Sequence, residues 1–109
     1  MTNYIDIKNP FTLTIYKLDK STGLTTTEQS EIQPTTKKFT KFVDWCKNNN
    51  KDWESSPASF IGQFTMSQGD FGLLYVNNGV VIHFLDKEGI PRQYTKTVKE
   101  GEFNFLFIE

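Results

Sequence analysis

The sequence predicts an α+β fold, with one amphipathic helix packed on one face of an antiparallel sheet of about five to six strands. Four apolar residues recur at the i, i+3, i+4, i+7 spacing of a helix face: Phe39, Phe42, Val43 and Cys46. Further along, short apolar runs are separated by three turn signals: Gln68-Gly69, Asn78-Gly79 and Lys87-Glu88-Gly89. Turns of this type between apolar runs favour antiparallel hairpins. At 109 residues the chain is expected to form a single domain, residues 1–109.

The helix is predicted to span about residues 36–49. Pro34 and the pair Thr35-Thr36 precede it and supply stop and N-cap signals. On a helical wheel Trp45 falls about 110° from the apolar stripe. We therefore expect Trp45 to lie outside the core.

The N-terminal part predicts a strand and a turn. "FTLTIYKLD" (11–19) alternates and is rich in β-branched residues, and "KSTG" (20–23) is a turn cluster. The Thr-rich "LTTTEQSEI" (24–32) that follows is either the second strand of an edge hairpin or a loop. The C-terminal "FNFLFI" (103–108) is predicted to be the closing strand, and Pro91 is expected to start a strand.

Pairing through the three turns assigns the side chains of the meander to two faces, because residues directly opposite each other share a side. Tyr75 is placed opposite Ile82, Phe64 opposite Leu73, and His83 opposite Gln93. One face is predicted to form the core: Phe60, Phe64, Met66, Phe71, Leu73, Tyr75, Ile82, Phe84 and Tyr94. The other face is mixed: Ile61, Gln63, Thr65, Leu74, Val76, Val81, His83, Leu85, Gln93 and Thr95. His83 then either faces water or lies under a second layer formed by the N-terminal hairpin.

Composition argues against several functions. The net charge of −1 and the single Arg among twelve basic residues disfavour binding to nucleic acid. No apolar run approaches the roughly 18 residues that a membrane-spanning helix needs. With one Cys and no secretion signal at its start, the sequence is interpreted as that of a cytoplasmic protein without disulfides.

No pattern of catalytic or cofactor-binding residues stands out. A metal site needs several ligands at set spacings, and a phosphate loop needs a glycine-rich turn, and the sequence has neither. Cys46 and His83, the only Cys and His, are predicted to lie on opposite sides of the core face, too far apart for a nucleophile and its base. We therefore expect no cofactor, no metal and no enzymatic activity.

The loop after the helix is the predicted partner-binding site. Trp45 is expected to be turned off the core stripe, and Trp53 follows in a loop between two carboxylates, Asp52 and Glu54. Exposed Trp residues anchor many protein interfaces. The alternative interpretation is that both Trp residues cover the edge of the core. If the loop is not the interface, the sheet face around His83 is the next candidate.

In size, composition and its helix followed by the meander "GQFTMSQGDFGLLYVNNGVVIHFLDKEGIPRQYTK" (62–96), the chain resembles small bacterial immunity proteins of contact-dependent and other polymorphic-toxin systems. This resemblance implies a protein partner, a cognate toxin domain, often a nuclease, whose basic cleft the acidic residues would fill. No residue role follows from the resemblance. Two alternatives remain open: a small-ligand module on the His83 face, roofed by the N-terminal hairpin, and an enzyme that uses His83 with a carboxylate.

Overall fold

The computed structural model describes residues 4–55, 63–76, 79–99 and 101–107. In chain order the elements are β1 (Phe11–Leu18), β2 (Thr25–Ile32), α1 (Lys37–Asn48), β3 (Glu54–Ser55), β4 (Phe64–Gln68), β5 (Phe71–Val76), β6 (Gly79–Leu85), β7 (Pro91–Thr97) and a short 3-10 helix (Asn104–Phe107). The α+β class is confirmed, with one α-helix in the described residues. The strands in these residues number seven instead of five to six.

All seven strands belong to one antiparallel sheet, in the order β2-β1-β4-β5-β6-β7-β3. Of the two alternatives left open for His83, a second layer formed by the N-terminal hairpin is therefore excluded, because that hairpin extends the same sheet. Leu13 of β1 pairs with Met66 of β4, so that the apolar side chains of β1 continue the core face. The Thr-rich segment forms β2, an eight-residue edge strand paired with β1.

The strand registers agree with the predicted faces, although two hairpins are displaced. The β6–β7 register is confirmed, with His83 opposite Gln93 and Pro91 at the start of β7. In the β4–β5 hairpin Gln68 pairs with Phe71, which leaves Gly69 at φ +55° in the turn. Val76 likewise pairs with Gly79, so Gly79 belongs to β6 and not to the loop. Both shifts are by two residues, which keeps every described side chain of these hairpins on its predicted face.

The helix packs on the core face and begins where predicted. Thr36 is its N-cap, and the Thr36 hydroxyl accepts a hydrogen bond from the Phe39 backbone N–H at 3.3 Å. Phe11 of β1 is fully buried, with ring centroids 5.3 Å from Phe39 and 4.9 Å from Phe42. These aromatic contacts join helix to sheet. The predicted core residue Phe60 and the predicted outer-face residue Ile61 lie outside the described residues.

The predicted C-terminal strand is wrong, because residues 104–107 form a 3-10 helix. Phe103 and Leu106 are both buried, a spacing of three that suits a 3-10 helix, in which side chains at i and i+3 lie on one side. Phe103 packs against Trp45, with ring centroids 4.8 Å apart, and against Phe64 at 5.9 Å. The C-terminal segment therefore completes the core beside α1 instead of lengthening the sheet.

Candidate functional site

The sheet has a second face, opposite α1, which we call the outer face. Its side chains come from every strand and are placed there by the registers: Thr12, Thr14, Tyr16, Thr27, Gln29, Glu31, Thr65, Ser67, Leu74, Val76, Val81, His83, Leu85, Gln93, Thr95, Thr97 and Glu54. No other described helix or strand lies over this face, since α1 and the 3-10 helix both pack on the core side. Thr14 and Val81 are buried, whereas Tyr16, His83 and Leu85 are exposed.

Charge is divided between the two sides of the sheet. Within the described strands the basic residues, Lys17, Arg92 and Lys96, all project to the helix side. The outer face has only two charged strand residues, Glu31 and Glu54, one at each edge. The outer face is therefore a neutral surface of threonine and apolar side chains with acidic margins.

His83 lies on the outer face and is exposed, which confirms its predicted side and removes it from the core. It pairs with Gly72 on β5 and Gln93 on β7, neither of which carries a carboxylate. The Nε2 end of the imidazole lies against Gly72: a methyl group at Gly72 would overlap Nε2 and lie 2.5 Å from Cε1. Gly72 therefore provides the space that the His83 ring occupies.

The prediction that Trp45 lies outside the core is wrong. Trp45 is buried, only 9 % exposed, and its ring packs between Phe103 and Trp53. Its Nε1 donates a hydrogen bond to Oε2 of Glu102 at 2.8 Å, which satisfies the polar atom of the ring. The C-terminal segment, which the helical wheel does not include, covers the side of the helix on which Trp45 lies.

Trp53 is half-buried and is held by the end of α1. Its Nε1 donates to the backbone oxygen of Asn49 at 2.5 Å, while the Asn49 side chain donates to the Trp45 backbone oxygen at 2.8 Å. The Lys96 ammonium lies 6.0 Å from the centre of the Trp53 ring. The last carbonyls of a helix lack hydrogen-bond partners within the helix. The Trp53 and Asn49 side chains supply partners for two carbonyls at this end, so the loop stabilises the end of α1. The interpretation that both Trp residues cover the edge of the core agrees with these contacts.

The two carboxylates of this loop are both exposed, but one belongs to the loop and the other to a strand. Asp52 has a φ of +67°, a left-handed conformation that Asp tolerates better than most residues. Glu54 begins β3 and pairs with Thr95, so it belongs to the margin of the outer face. Of the five predicted interface residues, the structure therefore places Glu54 and His83 on one face, Asp52 and Trp53 in the adjoining loop, and Trp45 inside.

Cys46 is fully buried on the core side of α1. Burial raises the pKa of its thiol to about 12, so the thiolate is not formed near neutral pH. Among the described residues there is no group of three or more His, Cys, Asp or Glu side chains that could hold a metal ion. Cys46 fills space as a small apolar residue.

A groove that the sequence interpretation missed lies between β2 and the start of α1. Its volume is about 590 Å³. Three lysines, one carboxylate, two hydroxyl residues and two apolar residues line it: Lys37, Lys38, Lys41, Glu31, Ser30, Thr36, Ile32 and Phe105. The three lysines alone look like the water-facing side of a helix, and only the position of β2 beside them reveals the groove.

In the part of the chain that the structure describes, the fold is that of an α+β protein with one sheet, covered on one face by α1 and the 3-10 helix. A comparison of the sequence with protein-family models finds no match. Comparisons with curated proteins and with solved structures find no significant match either. No helix among the described residues is long and apolar enough to cross a membrane.

Proposed function

We propose that this chain is a protein-binding module of the immunity type, which neutralises a cognate toxin domain by covering a basic surface of that domain with the outer face. The division of charge carries the proposal. In the described strands no Lys or Arg projects from the outer face, whereas Glu31 and Glu54 border it. A basic partner surface, such as the cleft of a nuclease, would meet no like charge there and would be attracted by both margins.

The exposed side chains of the outer face suit an interface. Tyr16 is 40 % exposed and Leu85 is 39 % exposed, and His83 lies between the strands that carry Leu74 and Gln93. Tyrosine is enriched among the residues that contribute most to protein interfaces, and apolar side chains supply buried area. The Tyr16 hydroxyl also lies 3.3 Å from the Thr65 hydroxyl, which fixes the orientation of the ring.

The loop after α1 has a secondary part in this proposal. Asp52 and Glu54 are exposed beside the outer face and would attract a basic partner during encounter. Trp53 is half-buried and engaged by Asn49 and Lys96, so we assign it to holding the loop in place.

The test uses the toxin domain encoded by the gene immediately upstream, if one is present there, titrated by calorimetry against purified variants. Leu85→Lys and Tyr16→Lys place a cation on the outer face at positions that are already exposed. Truncating or reversing a central contact typically costs 2 kcal/mol or more, about thirtyfold in affinity. Both variants should also lose protection of cells that express the toxin.

Leu24→Lys is the matched control, since Leu24 is 65 % exposed in the turn before β2, away from the outer face. It should bind like the parent. Asp52→Asn combined with Glu54→Gln should slow association at low salt and leave dissociation nearly unchanged. The proposal is overturned if no upstream domain binds, or if Leu85→Lys and Tyr16→Lys bind as tightly as Leu24→Lys.

A further inference from the structure

The outer edge of β2 has unpaired backbone groups. The Tyr16 N–H donates to the Gln63 oxygen on the β4 side at 3.0 Å, and the Asp19 N–H donates to the Leu24 oxygen on the β2 side at 2.8 Å. Because the direction of these bonds alternates along a strand, the odd-numbered residues of β1 bond to β2. Their partners in β2 are even-numbered. The N–H and C=O groups of Thr25, Thr27, Gln29 and Glu31 therefore point away from the sheet.

This edge is long and regular. β2 pairs with β1 residue for residue over all eight positions, with no bulge and no proline, and it ends the described sheet. Proteins usually shorten, twist or cover such an edge, because it is a template for pairing with another chain. At the other edge of the described sheet lies β3, of which Glu54–Ser55 are described.

The helix side of the same edge carries three lysines near the Ile32 end of β2 and one carboxylate further along, Glu28, which is paired with Lys17 at 2.8 Å. Lys37 and Lys38 occupy the first turn of α1 and Lys41 follows one turn later, and all three line the groove beside Ser30 and Ile32 of β2. The positive end of the helix dipole disfavours lysine in the first turn, where acidic residues are usual, and this helix has no acidic residue there. The lysines thus occupy positions that helix stability alone would not select.

We propose that β2 accepts an extended acidic segment of a partner protein, which adds an antiparallel strand to the edge and points carboxylates at Lys37, Lys38 and Lys41. Alternate side chains of an added strand stand on the helix side, about 7 Å apart. This spacing is close to the distance between side chains that are three or four positions apart on the surface of a helix, as Lys38 and Lys37 are from Lys41. The floor of the groove, Ile32 and Phe105, would take the stems of these side chains. This surface shares only the edge residue Glu31 with the outer face and otherwise lies on the other side of the sheet, so it is a second docking site.

Charge argues against a second copy of this chain as the occupant. Antiparallel pairing of β2 with β2 about a two-fold axis leaves both helices on the same side of the joined sheet. When the whole edge pairs in this way the junction is centred on Glu28, so the helix-side Glu28 carboxylates of the two copies would lie beside each other. A segment rich in Glu or Asp meets the groove with opposite charge.

The probe is an eight-residue peptide of alternating glutamate and threonine, added to ¹⁵N-labelled protein and followed by amide chemical shifts. We expect saturable shifts at Thr25, Thr27, Gln29 and Glu31 and in the first two turns of α1. Peptides that alternate glutamine or lysine with threonine are the charge controls and should bind at least about fivefold more weakly.

Two variants test separately what the backbone hydrogen bonds of β2 and the charge of the lysines contribute to peptide binding. Gln29→Pro removes an outward N–H without removing a bond to β1, so it should weaken the peptide about fivefold or more, whereas Gln29→Ala keeps the N–H and should bind like the parent. Lys37→Glu should weaken the peptide and at the same time raise the urea midpoint of unfolding, since an acidic first turn suits the helix. If Lys37 served only to stabilise the fold, Lys37→Glu would not weaken peptide binding while raising the urea midpoint.

Four outcomes overturn the proposal: no shifts along β2 at millimolar peptide, equal binding of the lysine peptide, binding that survives in folded Gln29→Pro, or a concentration-dependent dimer of the free protein that Gln29→Pro dissolves. The last would make a second copy the occupant. Loss of this site would leave the outer-face proposal standing, because its toxin titration uses Tyr16 and Leu85.

Discussion

The contact between Trp45 and Glu102 gives the sharpest test of how the C-terminal segment is attached. Trp45 Nε1 donates to Glu102 Oε2 at 2.8 Å, and Glu102 Oε1 accepts from the Lys99 backbone N–H at 3.2 Å. Trp45→Phe removes this bond and weakens the ring contact with Phe103. A hydrogen bond to a charged group contributes about 1.5–3 kcal/mol, which partial exposure of Glu102 reduces to about 1 kcal/mol. With the smaller ring, Trp45→Phe should cost about 2 kcal/mol in all.

The assay is a double-mutant cycle of Trp45→Phe and Glu102→Ala by urea unfolding, followed by circular dichroism. The loss of the Lys99 bond occurs in both arms that contain Glu102→Ala and therefore cancels. Trp53 becomes the only Trp in Trp45→Phe, so its fluorescence reports whether the loop stays in place. A coupling energy below about 0.3 kcal/mol, the usual error of additivity, would refute the attachment of the C-terminal segment through Trp45.

Three further predictions follow from individual contacts. Gly72→Ala should destabilise the parent by about 1 kcal/mol, because the added methyl group displaces the His83 ring. In a His83→Ala background, which itself should cost less than about 1 kcal/mol, Gly72→Ala should be nearly neutral. Equal costs of Gly72→Ala in both backgrounds would contradict the contact. The Ile90 backbone N–H and the Arg92 side chain hold the pKa of Asp86 below its ordinary value of 3.8, so Asp86 stabilises the fold above that pH and this stability is lost as the pH falls through the lower folded pKa. The stability difference between parent and Asp86→Asn in urea should shrink below pH 3.8, and a difference that grows would be inconsistent with this sign. Cys46, with a pKa of about 12, should react with a thiol reagent at pH 8 only after unfolding, and fast reaction of the native protein would show that the thiol is accessible.

Local chemistry was enough to predict much of the fold. The spacing of Phe39, Phe42, Val43 and Cys46 and the cap at Thr36 predicted the helix to within one residue at each end. The turn signals predicted the meander, and alternation predicted its two faces even where the hairpins are displaced by two residues. A period-two pattern survives such a shift, because a displacement of two residues returns each side chain to the same side.

Contacts between distant segments could not be predicted in this way. The helical wheel placed Trp45 at the margin because the wheel contains only the residues of α1. Trp45 is covered by the segment around Phe103, in which its hydrogen-bond partner Glu102 is 57 residues away in the sequence. The run "FNFLFI" fits an alternating strand as well as a 3-10 turn, and the choice depends on which surface is free beside the core.

The sequence by itself determined the elements whose signals are local: one helix, the hairpins and the side of the sheet on which His83 lies. Only the tertiary structure decided where the N-terminal hairpin goes, because joining β1 to β4 depends on fitting Leu13 beside Met66 and not on any signal near either residue. That one pairing makes β2 the edge of the sheet and brings it beside Lys37, Lys38 and Lys41. Surfaces formed by residues far apart in the chain depend on long-range packing, which the periodicity of a single segment does not encode.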